Sequence, residues 1–257
     1  MLISGNRHPP TFADKVGWVV GASRGIGGAV ARELTARGAR VAISARDADQ
    51  LARVSAGRMV VIPADVTDPT TLTAAVSAID DRLGPLDLVV VSAGYWKQMS
   101  IDAWDTEVFD RHVKVNLSGL SNTIAAVLPG MLQQRSGVIA GIASVAGYRG
   151  LTGSEAYGAT KAAQINLLES LRIHLHHTGV RVTTVCPGFV RTDLVADNRF
   201  PMPFMIEPEQ AATAICNGLA RHRTQIVFPL PMAVLMNAAR LVPANVWTAL
   251  WTRRLPR

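Results

Sequence analysis

Short apolar runs rich in β-branched residues recur along the chain: GWVV at 17–20, RVAIS at 40–44, MVVI at 59–62, LDLVVVS at 86–92, GVIAGI at 137–142, VRVTTV at 180–185 and QIVF at 225–228. Several are apolar at nearly every position, which is the pattern of strands covered on both faces. Stretches with helical periodicity separate them, among them 26–37, 154–177 and 208–220. Seven strands alternating with helices predict an α/β fold, a doubly wound parallel sheet with helices on both faces. Right-handed crossovers then bring the loops that follow the strands to one edge, where a ligand is expected.

The chain of 257 residues has no long polar tract and no repeat, so one domain, 1–257, is expected. Within it, 193–207 reads as a substrate lid and 229–257 as an apolar, basic C-terminal extension. Hydrophobic residues make up 49% and charged ones 18%, a balance that fits a soluble protein and is too polar throughout for several membrane spans. The amino-terminal stretch MLISGNRHPPTFADK has no apolar run of signal-peptide type, and Cys186 and Cys216 lack metal or redox spacing. A cytoplasmic location is expected. A net charge of +7 raises nucleic acid or an anionic surface as a partner. The arginines are scattered, apart from Arg221 and Arg223 and the terminal Arg253, Arg254 and Arg257, and no aromatic residues interleave them. Nucleic-acid binding is therefore not expected.

Candidate chemistry begins at the first loop after a strand. GASRGIG holds Gly21, Ser23, Arg24, Gly25, Ile26 and Gly27 and runs straight into a helix that ends at Gly38. Glycines there let the backbone turn tightly and approach a diphosphate, which the free amides of the helix start stabilise. In the first β-α-β unit this is the signature of a Rossmann-type dinucleotide site. The second strand ends in Ser44, Ala45 and Arg46, with no acid to accept the adenosine ribose hydroxyls. Arg46, with Arg24 as a second cation, suits an additional phosphate, so NADP (as NADPH) is favoured over NAD. Asp65, with Val66 beside it, closes the third strand near the expected adenine.

Residues 154–163, SEAYGATKAA, place Tyr157 and Lys161 four apart on one helical face among small side chains. Taken alone, the pair suits equally a small flat ligand against that face or a helix packed closely on a neighbour. A phenol of ordinary pKa near 10 is a slow acid at neutral pH, and an ammonium one turn away favours its ionised form. Ser144 leaves the fifth strand 13 positions before Tyr157, so its hydroxyl is placed to hold a substrate oxygen.

Together these segments resemble the short-chain dehydrogenases and reductases, in their single-domain subgroup. GASRGIG, VSAG at 91–94, VNLSG at 115–119, IASVAG with Ser144, YGATK with Tyr157 and Lys161, and PGFVRT at 187–192 follow in that family's order. The resemblance implies Asn116, Ser144, Tyr157 and Lys161 as the catalytic set, with Tyr157 as acid and base. It implies that Lys161 also holds the nicotinamide ribose, and that Asn116 kinks its helix or holds a water linking Lys161 to solvent. It adds Ala93 and Gly94 to the cofactor site, and Pro187, Gly188, Val190 and Thr192 as the segment closing over the nicotinamide. A homo-oligomer, dimer or tetramer, is implied as well. Two departures stand out: Val20 replaces the usual threonine, and Val91 and Ser92 replace two asparagines. An apolar contact between Val20 and Val91 is the expected substitute.

His174, His176 and His177 lack a carboxylate to complete a metal set, so no metal is expected. Substrate choice is expected in Tyr95 to Met99, Tyr148 to Leu151 and the segment after Thr192, where Phe200, Met202, Phe204 and Met205 suggest an apolar wall. The substrate is then a hydrophobic ketone, aldehyde or alcohol. A carrier-bound 3-oxoacyl group is the competing substrate, and a non-catalytic NADP-binding sensor the competing function. In the extension, the uncharged run from Pro229 to Ala239 is too short to cross a bilayer. Val246, Trp247, Leu250 and Trp251 with Arg253 and Arg254 read as amphipathic, suited to weak contact with a membrane surface, to covering the pocket or to an oligomer interface.

Overall fold

The computed structural model describes residues 12–195 and 201–252. Seven strands, β1 (Val16–Val20), β2 (Arg40–Ser44), β3 (Val60–Val61), β4 (Leu88–Val91), β5 (Gly137–Ile142), β6 (Val180–Pro187) and β7 (Gln225–Phe228), form one sheet in the order β3-β2-β1-β4-β5-β6-β7. All six pairings are parallel. Strand order reverses between β1 and β4, and a crevice opens there at the carboxyl ends of the strands. The expected third strand is shorter than its apolar run, because only Val60 and Val61 pair with β2 at the sheet edge.

The strands are apolar throughout because each feeds two cores. On β1, Val19 packs into one cluster while Val16, Trp18 and Val20 pack into the other; on β4, Leu88 and Val90 alternate with Val89 and Val91 in the same way. One face carries α1 (Gly25–Ala36), α2 (Ala48–Ser55) and α7 (Pro208–Ala220). The other carries α3 (Pro69–Leu83), α5 (Gly119–Gln134) and α6 (Glu155–His174). Val20 and Val91 are partners across the β1–β4 ladder and share one apolar cluster, so the two departures from the family pattern sit side by side. Asp47, Asp68 and Asp105 accept backbone N–H groups at the starts of α2, α3 and α4 (Thr106–His112), satisfying donors that the helices leave free.

A polar bond lies inside the apolar layer: Trp18 Nε1 donates to Ser44 Oγ at 2.9 Å, with both residues fully buried. Ser44→Ala strands that indole N–H, and the unfolding midpoint in urea is expected to fall by the equivalent of ~1–3 kcal/mol at an unchanged slope. An unchanged midpoint contradicts this.

Between α4 and α5 the chain widens into a π-helical turn, Val113–Ser118, where the Gly119 N–H reaches back to Lys114 O. Asn116 sits in this turn and is buried there. The continuous run Thr106–Gln134 is long and apolar enough to cross a membrane by length and composition, yet Leu120, Ile124, Val127 and Met131 pack its α5 portion on the sheet. α6 ends at His174, so His176 and His177 lie in the following turn with their rings in contact. The extension forms α8 (Leu230–Leu241) and α9 (Ala244–Thr252). Met232 and Met236 of α8 pack on Tyr148 and Cys186, and Trp247 of α9 donates to Gly150 O at 2.9 Å. Leu230, Val234, Leu235, Leu241, Val246 and Leu250 face outward. Phe200, Arg253, Arg254 and Arg257 lie outside the described residues.

Candidate active site

A cleft of about 1070 Å³ opens at the β1–β4 crevice. The glycine loop, the ends of β2 and β4, the loop after β3 and the first turns of α6 all reach it. Gly21, Ser23, Arg24, Gly25, Ile26, Ala45, Arg46, Asp65, Val66, Ala93, Gly94, Tyr157, Lys161 and Thr192 line it. One cavity therefore holds most of the residues singled out for a dinucleotide at one end and the phenol and ammonium at the other.

The glycine loop is built for close backbone approach. Gly21 adopts φ +84°, and a Cβ there would sit 2.6 Å from Ala93 Cα, so no side chain fits between the ends of β1 and β4. Gly27 does not face the cleft; a Cβ on it would collide with the Gly21 carbonyl, so its role is to let α1 start against the loop. These two positions form the kind of cradle a dinucleotide diphosphate needs. At the far end, Arg46 is exposed, while the neighbouring Asp47 commits its carboxylate to the Gln50 N–H at the start of α2. Arg24 reaches Asp193 at 3.3 Å across the cleft mouth, an exposed pair of small energetic weight. Asp65 accepts from the N–H and the hydroxyl of Thr67, which fixes the turn after β3.

At the other end, Asn116 is fully buried and clamps the backbone of Tyr95: Oδ1 accepts its N–H at 2.7 Å and Nδ2 donates to its carbonyl at 3.1 Å. Nδ2 also donates to Thr160 Oγ1, which in turn donates to the Tyr157 carbonyl. Asn116 thus ties the loop after β4 to the helix turn carrying the phenol. Ser144 Oγ accepts the Ala146 N–H and hydrogen-bonds the Tyr157 phenol. Lys161 Nζ lies 5.4 Å from the Tyr157 ring centre and donates to Ile142 O at 2.8 Å and Gln164 Oε1 at 2.9 Å. The Asn116 carbonyl accepts from Gln164 Nε2 at 2.6 Å, which ties the Asn116 turn to α6.

The charge balance differs from the expectation of an ammonium that strengthens a phenol. Burial pushes the Tyr157 phenol up to about 12, against the pull of its bond with Ser144. Burial also draws Lys161 down to about 7, against the nearby Cys186 thiol. Desolvation outweighs the attraction of the pair. Lys161 is therefore charged below about pH 7 and loses its proton above it, while the phenol keeps its own. Activity that needs both protons is expected to decline as the pH rises through this region, and a rate profile flat well into the alkaline range contradicts it.

Several expected residues lie elsewhere. Ser144, Pro187, Gly188 and Val190 do not line the cleft: Ser144 Oγ donates to Pro187 O at 3.4 Å, Gly188 packs on Met232, and Val190 is buried in a bridge with Ile206. Of PGFVRT, Thr192 reaches the cleft. Met202, Phe204 and Met205 do not line the cleft either; the segment that carries them meets the end of β6 through the Val190–Ile206 bridge and the Ile206 N–H bond to Phe189 O. Tyr95, Trp96, Lys97 and Gln98 supply the wall instead, with Leu194. The Trp96 ring meets the Tyr157 ring edge-on at 5.1 Å. Behind them stands fully buried His112, whose Nδ1 bonds Val108 O at 2.7 Å and whose Nε2 accepts the Lys97 N–H. No sequence signal pointed to His112, a lone histidine in a short polar helix. Gln164 was missed as well, although 157, 161 and 164 share one helical face. Among the described residues no cluster of three metal-ligating side chains occurs.

The description of the short chain dehydrogenase family matches residues 15–201. An uncharacterized oxidoreductase of Myxococcus xanthus is 37% identical over 237 residues, covering 90% of this chain and 94% of that protein. One from Staphylococcus saprophyticus is 36% identical, covering 80% and 91%. Among solved structures, a variant of actinorhodin polyketide ketoreductase with NADPH is 26% identical with a TM-score of 0.76, covering 84% of this chain and 95% of that one. A short-chain dehydrogenase from Streptomyces avermitilis is also 26% identical, with a TM-score of 0.78 over 88% and 91%. With the sheet order, the glycine loop and the Tyr157–Lys161 pair already in place, these similarities establish that the chain is an oxidoreductase belonging to the short-chain dehydrogenase family.

Proposed function

We propose that the protein is an NADP(H)-dependent carbonyl reductase, acting in reverse as an alcohol dehydrogenase, on a hydrophobic ketone, aldehyde or secondary alcohol. The observation that carries this reading is a single cleft lined by the Gly21–Ile26 loop and two arginines at one end and by Tyr157 and Lys161 at the other. A bound dinucleotide supplies the hydride. The chain's own groups hold and move the proton. Tyr157 Oη gives it to the substrate oxygen during reduction and takes it back during oxidation. Ser144 Oγ donates to the same oxygen, whose growing negative charge it stabilises. The Lys161 ammonium adds a positive field in a site of low dielectric, where it is worth more than in water. Asn116 keeps the Tyr95 backbone and the Tyr157 turn in register.

Arg24 and Arg46 support NADP(H), since both border the cleft and the end of β2 carries Ala45 rather than an acid. The NADPH named with the ketoreductase neighbour points the same way. The aromatic wall of Tyr95 and Trp96 favours an apolar substrate. A 3-oxoacyl group on an acidic carrier is the second reading, favoured by the net charge of +7 and by the same neighbour.

The test is a panel of ketones, aldehydes and a 3-oxoacyl thioester scored with NADPH and with NADH. The reading requires faster turnover with NADPH on an apolar member, and a wild-type preference for NADH overturns its cofactor half. Ala45→Asp places a carboxylate where the additional phosphate is expected, and the NADPH-to-NADH ratio of kcat/KM is expected to drop by at least about a hundredfold. An unchanged ratio contradicts the placement of the arginines.

A further inference from the structure

Gln164 is a polar side chain that the proposed chemistry does not use, although it is 2% exposed at the bottom of the site. It stands one turn beyond Lys161 on the face that carries Tyr157. Its carboxamide is committed at both ends: Oε1 accepts from Lys161 Nζ at 2.9 Å, and Nε2 donates to the Asn116 carbonyl at 2.6 Å. The partners leave the amide one orientation, because an ammonium only donates and a carbonyl only accepts.

We propose that Gln164 is a positioning residue that bridges Lys161 to the π-helical turn at Asn116, fixing where the ammonium points and favouring its charged form. Nζ has three N–H donors. Ile142 O takes one and Gln164 takes another, so the third is directed by the two anchors, and Lys161 borders the cleft. The titratable groups facing it are Tyr157 from its own helix, His112 from α4 and Cys186 from β6. None of these is a carboxylate, so neutral acceptors must sustain the charge against burial, and a hydrogen bond to a charged group is the strong kind.

The inference rests on the proposed reaction only for its rate arm. Its direct test is a side-chain NMR titration of lysine, practicable because the chain has four lysines. Gln164→Met keeps the buried volume and removes the acceptor; the Lys161 midpoint is expected to fall by about one pH unit. Gln164→Glu keeps an acceptor and adds negative charge; the midpoint is expected to rise by at least as much. Opposite shifts separate positioning from structural support, since a merely structural side chain would move both variants together or neither. If the Glu variant fails to fold, the Met variant decides alone; if the Met variant fails, Gln164→Leu, which also removes the acceptor, takes its place. Midpoints unchanged from wild type, or shifted in the same direction, overturn the proposal. In the rate arm, the alkaline limb of ketone reduction moves with the midpoint, to lower pH in the Met variant and to higher pH in the Glu variant. A wild-type protein that turns over no carbonyl or alcohol refutes the function proposed above, while the titration still judges Gln164.

Discussion

Tyr157→Phe is expected to lower turnover by about a thousandfold while leaving NADPH binding and stability near wild type. The phenol's hydrogen-bond partner in the site is Ser144, and Phe keeps the ring that meets Trp96 at 5.1 Å and His112 at 6.4 Å. The wall of the cleft therefore survives, and what disappears is the proton that the proposed reaction hands to the substrate oxygen. Single-turnover rates with saturating NADPH, set beside a fluorescence titration of the coenzyme, separate the two effects. Full turnover in the variant refutes the assignment of the acid. Loss of coenzyme binding alongside turnover shows instead that the hydroxyl serves the site's architecture.

Gly27→Ala has the second largest expected effect, and its origin is steric. The added Cβ meets the Gly21 carbonyl and lies 3.0 Å from the carbon of that group and 3.2 Å from Ala22 Cα. Every atom it meets is backbone, so no side chain can swing aside. Gly21 cannot retreat, because its own Cα is held against Ala93 and its N–H bonds Ser44 O at 2.7 Å. Either α1 or the loop must shift, and the amides expected to face a diphosphate shift with it. NADPH affinity is expected to fall by at least about a hundredfold, with a stability loss of ~1–3 kcal/mol from the forced contact. Gly130→Ala is the control: it is also a helical glycine, nothing lies within 4 Å of its Cβ position, and a small gain in stability is expected. Equal coenzyme affinity in the two variants contradicts the steric account.

The sheet was legible because its strands leave a local trace. β5 and β7 lie where their apolar runs lie, and β1 and β4 read as continuous because Val19 and Val90 serve one core while Val20 and Val91 serve the other. β3 was over-read at 59–62: its four apolar residues are all placed at the sheet edge, but ladder pairing with β2 involves two of them. The site was legible where residues share a loop or a helical face, as in Gly21 to Ile26 and in Tyr157 with Lys161. It was illegible where distant segments decide. The Val190–Ile206 bridge joins segments that no local pattern pairs, and Arg24 meets Asp193, 169 positions on. His112 supports the wall from behind through a backbone N–H of Lys97, a bond that leaves no pattern in the chain. The charge state of the pair also depends on burial, which spacing alone does not reveal: four residues apart predicts proximity, whereas the enclosed site sets Tyr157 near 12 and Lys161 near 7.

In the proposed reaction, one cleft brings a nicotinamide coenzyme and the Tyr157 proton to the same carbonyl. This is tested most directly by mass spectrometry of the alcohol formed from a ketone and NADPH carrying deuterium on the transferable position of its nicotinamide ring. The wild-type protein is predicted to give alcohol with one deuterium on the former carbonyl carbon, and Tyr157→Phe, at the same coenzyme occupancy, to give only a trace. Alcohol without the label, or equal labelled product from both proteins, contradicts it.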